Sequence, residues 1–217
     1  MSLKFEWNYK KYLQNIYQII TKVNVVHILL FILVIHAFLI SIPSEGKIFD
    51  ESAYVPASIA TVQGIAANAE HTPLSKLVIG WCIQAFGDWW FAWRVTPVIF
   101  STLSVLMVYL IASQFLSKKY ALFSAAFIGL DMLFFVNGSI AILDAQAVFF
   151  ALAGVVLLLK KRYAYSAVFF AVGILSKETS VLILVGALLY VIFAYFNEKT
   201  SFKSKFHKPH MKSLKAF

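Results

Sequence analysis

Apolar residues in this chain come in long runs, not at the spacing of an amphipathic soluble helix or in the alternation of a half-buried strand. Six such runs, at about 24 to 42, 91 to 113, 120 to 136, 140 to 159, 163 to 176 and 179 to 196, approach the roughly 20 residues that carry a helix across about 30 Å of hydrocarbon. The fifth is short for a bilayer. Stretches such as 145–159 are apolar on every side, which excludes a transmembrane β-barrel with its segments of about 10 alternating residues. The pattern predicts an all-α polytopic membrane protein with about six transmembrane helices. The first run follows a lysine-bearing segment, but Ser41-Ile42-Pro43-Ser44-Glu45-Gly46 offers no small-residue cleavage site, so it reads as a retained anchor and not a signal peptide.

The polar stretches between runs have patterns of their own. Phe5, Tyr9, Tyr12, Ile16 and Ile19 make one stripe with Lys10 and Lys11 off it, an interfacial amphipathic helix within residues 1–23. Residues 24–196 form the transmembrane domain, and 197–217 are a basic tail. The loop at 43–90 is too long for a structureless connection. It predicts two juxtamembrane helices: one over 52–67 with Asp50 and Glu51 at its positive end, and one with Thr72 as N-cap, Pro73 in the first position and Gly87 just past its end. Asp88 then caps the second span, whose opening Trp89, Trp90, Phe91 and Trp93 form an aromatic belt.

Composition agrees: 61% of the 217 residues are apolar and 13% charged, against roughly 25% charged in soluble domains. The net charge of +9 would suggest nucleic acid in a soluble chain, but here it orients the protein. With a cytoplasmic N-terminus, 15 of the 19 basic residues lie inside, and only Lys47, Lys76, Arg94 and Lys177 lie outside, so both termini are expected in the cytoplasm. The tail reads as solvated or resting on lipid headgroups, not as a nucleic-acid arm. Cys82 stands alone, so no internal disulfide and no Cys-rich metal site is available. Acids show the opposite bias, with all but Glu6 and Glu198 at or near the outer face. Either an outward-facing polar site or an ordinary solvated loop accounts for that.

The individual residues leave alternatives open. Asp50 and Glu51 diverge by about 100° on a helix and serve as dipole compensation or as catalytic acids. Lys177 either snorkels beside Glu178 or meets a phosphate, and Arg94 is an interfacial anchor or a second cation on that phosphate. Asp131 lies where an idle carboxylate is expensive, and either bonds the loop backbone or supports Asp144. His71 has no second histidine at ligand spacing. Asn137-Gly138-Ser139 fits a glycosylation sequon but lies too close to the membrane to be used.

Five short motifs in order, Phe49-Asp50-Glu51, His71-Thr72-Pro73-Leu74-Ser75-Lys76-Leu77, Trp93-Arg94-Val95-Thr96-Pro97, Ile140-Ala141-Ile142-Leu143-Asp144 and Ser176-Lys177-Glu178-Thr179, resemble the N-terminal half of the GT-C glycosyltransferases. They are most similar to the dolichyl-phosphate-mannose protein mannosyltransferase family, over about residues 24 to 196. The resemblance implies transfer of a mannose-like hexose from a polyprenyl- or dolichyl-phosphate donor to an acceptor hydroxyl on the outer or lumenal side, with inversion. It implies Asp50 and Glu51 as the acidic catalytic centre, Asp50 being the base, and His71, Arg94, Asp144 and Lys177 as substrate-binding residues. No metal ligand or cofactor is assigned. The partners it implies are the lipid-linked sugar, a protein, lipid or glycan acceptor, membrane lipids, and a second subunit supplying further spans. The expected location is the cell membrane of a prokaryote rather than the endoplasmic reticulum.

Three departures qualify the resemblance. Thr72 replaces a proline, Ser139 stands where many relatives have an arginine, and relatives continue beyond six spans. A non-catalytic or truncated GT-C-like membrane subunit is therefore the alternative reading. A six-span transporter is the third, disfavoured because the ionisable residues gather at one membrane edge and not at the midplane.

Overall fold

The computed structural model describes residues 23–43 and 46–206, with side chains as far as 196. The amphipathic helix expected near the N-terminus and the tail residues 207–217 lie outside the described residues. Among the described residues all regular structure is helical: α1 (Val25–Ser41), α2 (Glu51–Val62), α3 (Leu74–Phe86), α4 (Trp90–Ala112), α5 (Lys118–Leu130), α6 (Met132–Ser139), α7 (Asp144–Leu159), α8 (Tyr163–Ser176), a 3-10 turn (Glu178–Ser180) and α9 (Val181–Phe206). The protein is an all-helical membrane protein.

The helix starts follow from local chemistry. Asn24 opens α1 with a capping box, its side chain accepting from the His27 amide while the His27 ring reaches back to the Asn24 amide. Ile32, His36 and Ile40 repeat at i+4 and form the buried stripe of α1. α4 runs 23 residues through the middle of the bundle and touches α1, α5, α6, α7 and α3. α7 and α8 form a close antiparallel hairpin through small residues, the usual device where lipid leaves helix association to packing. A side chain at Gly173 would sit 3.2 Å from the Ala151 amide nitrogen, and Ser166 donates to the Gly154 carbonyl at 2.8 Å.

The expected six spans are only partly recovered. The helix Trp90–Ala112 and the stretch Glu178–Phe196 are long and apolar enough to cross a membrane, and a third span exists if α5 and α6 are taken together. α1, α7 and α8 have 17, 16 and 14 residues, below the usual spanning length. The run at 120 to 136 is not one helix. Asp131 adopts an extended backbone and its carboxylate accepts the Phe134 amide at 2.9 Å, so a new helix is capped there and the pair bends by 60°. Asp131→Ala is expected to lower stability by about 1 kcal/mol, the usual cost of a lost N-cap, in thermal unfolding of the detergent-solubilised protein. An unchanged midpoint would mean that the bend is fixed by packing alone.

Other boundaries also move. The run expected from 140 becomes a buried, non-helical segment up to Leu143, because its backbone bonds outward: the Ala141 amide donates to Glu51 and the Leu143 carbonyl accepts from Ser75. The expected helix over 52–67 ends at Val62. Thr72 does not cap α3. Pro73 occupies that position and the Thr72 hydroxyl bonds the Ile174 carbonyl at 2.9 Å, tying the loop to the end of α8. Gly87 does end α3, but Asp88 accepts from the Trp93 indole at 2.6 Å and makes no cap for α4. The last helix continues past 196 to Phe206.

Candidate functional site

α2 and α3 form a hairpin over one end of the bundle. The two helices cross so closely that a side chain at Gly80 would lie 2.5 Å from the Ser58 carbonyl oxygen. Under this hairpin meet the start of α4, the segment 140–144 and the α8–α9 junction. The hydrophobic seam includes Tyr54, Val55, Ile79, Trp93 and Leu143.

The acidic pair at the start of α2 is split by the helix geometry, as expected for neighbours about 100° apart. Glu51 turns inward and is fully buried. It accepts the Arg94 Nε and Nη2 groups, each at 2.7 Å, the Ala141 amide at 2.8 Å and the Ile48 amide at 3.0 Å. Burial alone would raise its pKa, but the Arg94 bonds and the two amides outweigh it and hold the carboxyl below its ordinary range. Asp50 turns outward and is half-buried, and its side chain makes no hydrogen bond among the described residues. Phe49 before it sits at φ 52°, a left-handed turn uncommon outside glycine, which swings the chain into α2.

One of the two readings left open by the sequence set Arg94 and Lys177 on the same phosphate. They are engaged separately. Arg94 is 6% exposed and holds Glu51, whereas Lys177 donates from Nζ to Asp144 Oδ2 at 2.7 Å. Lys177 does not pair with Glu178. That carboxylate lies 2.8 Å from His71 Nδ1. Burial would lower the Lys177 ammonium, but the bond and charge of Asp144 more than reverse this and keep it protonated beyond its ordinary range. Asp144 stays open, at 39% exposure. Beside it opens a cavity of about 290 Å³, lined by apolar Ile128, Leu133, Phe134 and Val148 and by Asp131 and Asn137.

Two residues complete the cluster: Tyr54, which no motif contains, and Lys76, which lies in the His71–Leu77 motif but had no assigned role. Tyr54 is one helical turn after Asp50, with the Lys177 ammonium 6.0 Å from its ring centre and the His71 ring edge-on at 5.7 Å. Burial raises its phenol, and the charges of Asp50, Asp144 and Glu178 add to this against Lys177. The i, i+4 spacing from Asp50 was the available signal. Lys76 is 2% exposed and donates to the carbonyls of Ala67, Asn68 and His71. Burial lowers its ammonium. Among the described residues no three His, Cys, Asp or Glu side chains are grouped as a metal site.

A family model described as dolichyl-phosphate-mannose-protein mannosyltransferase matches residues 70–214, about two-thirds of the chain, and includes His71, Arg94, Asp144 and Lys177. No curated protein and no solved structure matches.

Proposed function

Since the chain belongs to the dolichyl-phosphate-mannose-protein mannosyltransferase family, we propose that it is a membrane glycosyltransferase of the GT-C type that moves a mannose-like hexose from a polyprenyl or dolichyl phosphate to an acceptor hydroxyl. The observation that carries this reading is the Lys177–Asp144 pair at 2.7 Å, whose charges act on the Tyr54 phenol together with that of Asp50, a carboxylate that makes no side-chain cap, at the end of short membrane helices. The short helices belong to a six-span arrangement with both termini cytoplasmic, and the hairpin end faces outward.

The chemistry needs little from the protein. The donor already carries a phosphate leaving group, so the site must supply a base, charge stabilisation and alignment. Asp50 takes the proton of the acceptor hydroxyl as that oxygen bonds the anomeric carbon. The bond from that carbon to the phosphate oxygen breaks, its electron pair stays on the lipid phosphate, and the configuration inverts. Lys177 meets the departing phosphate. His71, with Nδ1 on Glu178, presents its other ring nitrogen to the donor. The cavity beside Asp144 gives the non-phosphate part of a substrate an apolar recess. Arg94 and Glu51 hold the frame.

The test is sugar transfer by the full chain in nanodiscs, with a polyprenyl-phosphate-linked hexose and a hydroxyl acceptor. Lys177→Met is expected to raise the donor KM by about tenfold to a hundredfold, the worth of one charge-assisted hydrogen bond. An unchanged donor KM removes Lys177 from phosphate binding. Absence of transfer by the parent with every lipid-linked sugar tried supports the non-catalytic subunit instead.

A further inference from the structure

Lys76 is a buried ammonium in an unfavourable place. It is the third residue of α3, where the helix dipole favours anions, it is 2% exposed, and no carboxylate forms an ion pair with it among the described residues. All three of its N–H groups are used on backbone carbonyls, Ala67 at 3.0 Å, Asn68 at 2.7 Å and His71 at 2.8 Å. Those carbonyls converge because the chain turns at Asn68, whose φ is 48°. A methionine in the same space would fill the volume without charge. The ammonium therefore has a task that packing does not require.

The loop it gathers ends in His71. From there the contacts run to the cluster: His71 to Glu178 at 2.8 Å, His71 edge-on to Tyr54, and Tyr54 beneath the Lys177 ammonium. The next residue is tied as well, Thr72 donating to Ile174 two residues before the end of α8. We propose that Lys76 is a positioning residue, an internal cation that closes the 67–71 loop and thereby sets the His71 ring against Glu178 in the donor site. It touches no substrate itself. The part concerning transfer rests on the glycosyltransferase reading, but the closure of the loop does not.

The experiment compares the parent, Lys76→Met, His71→Ala and the double variant, all full length in nanodiscs, by hydrogen exchange of peptides spanning 65–73 and by transfer kinetics. Lys76→Met is expected to speed exchange in 67–71 at least tenfold. It is also expected to reproduce the division of loss between kcat and donor KM that His71→Ala shows, with no further loss in the double variant. Parent-like exchange in Lys76→Met overturns the clamp, and additive losses in the double variant overturn its action through His71. Should Lys76→Met fail to fold, Lys76→Gln, which keeps two N–H donors, carries the same readouts. If the parent transfers no sugar, the proposed activity falls, and the exchange comparison still decides the clamp.

Discussion

Asp50→Asn should lower sugar transfer by about a thousandfold and leave folding intact. The magnitude follows from general base catalysis, which contributes roughly 10²- to 10⁴-fold when the base is lost. The selectivity follows from the geometry. The Asp50 side chain makes no hydrogen bond among the described residues, and its structural work is done by the main chain, whose carbonyl accepts the Ala53 and Tyr54 amides at 3.0 and 2.9 Å. An asparagine keeps that backbone and nearly the same volume. The stability change is therefore expected within about 0.5 kcal/mol, as for a substitution that breaks no partner. The measurement is initial transfer rate at saturating donor alongside thermal unfolding of the same preparation. Transfer at the parent rate would remove Asp50 from the chemistry. A large fall in stability would mean that its carboxylate serves the fold.

The helical membrane class and the α2–α3 hairpin were legible because they rest on apolar run length and on turn residues such as Pro73 and Gly87. The broken third run was not, since hydropathy averages over Asp131, and one carboxylate capping one amide decides the bend. The motifs named residues that the structure brings together under the hairpin, but not how they pair. Sequence neighbours suggested Lys177 with Glu178, whereas a residue in extended conformation at φ −158° sends the lysine to Asp144, 33 positions away, and leaves Glu178 to His71. Lys76 was counted among the outer cations but given no role, because lysine on an outer loop reads as solvated. Only the position of the loop at 67–71 reveals that it is enclosed. Local periodicity thus located the elements, while the partners of each charge depended on contacts between segments far apart in the chain.

The largest stability effect is expected at Glu51. Its carboxylate joins three segments: the turn before α2 through the Ile48 amide, α4 through Arg94, and the approach to α7 through the Ala141 amide. Glu51→Ala leaves the Arg94 guanidinium buried without its carboxylate and both amides without their acceptor, a change that typically costs about 3–5 kcal/mol when one partner of a buried pair is removed. The double variant Glu51→Leu with Arg94→Met should recover only part of this, because it removes the buried Arg94 charge along with its carboxylate but still leaves the Ile48 and Ala141 amides without the Glu51 acceptor. Acid separates the causes. The folded carboxyl titrates below its unfolded value near 4.5, so its contribution is fully present above that pH and is lost as pH falls through the folded value. The gap in melting temperature between parent and Glu51→Ala should therefore be constant at neutral pH and narrow below about 4.5. Equal melting of the two at pH 7 would sink the assignment. A gap confined to transfer activity would instead make Glu51 a partner of the substrate. Ala141 lies three positions before Asp144, so loss of the Glu51 frame also frees the carboxylate that holds Lys177, and activity should fall before the protein unfolds.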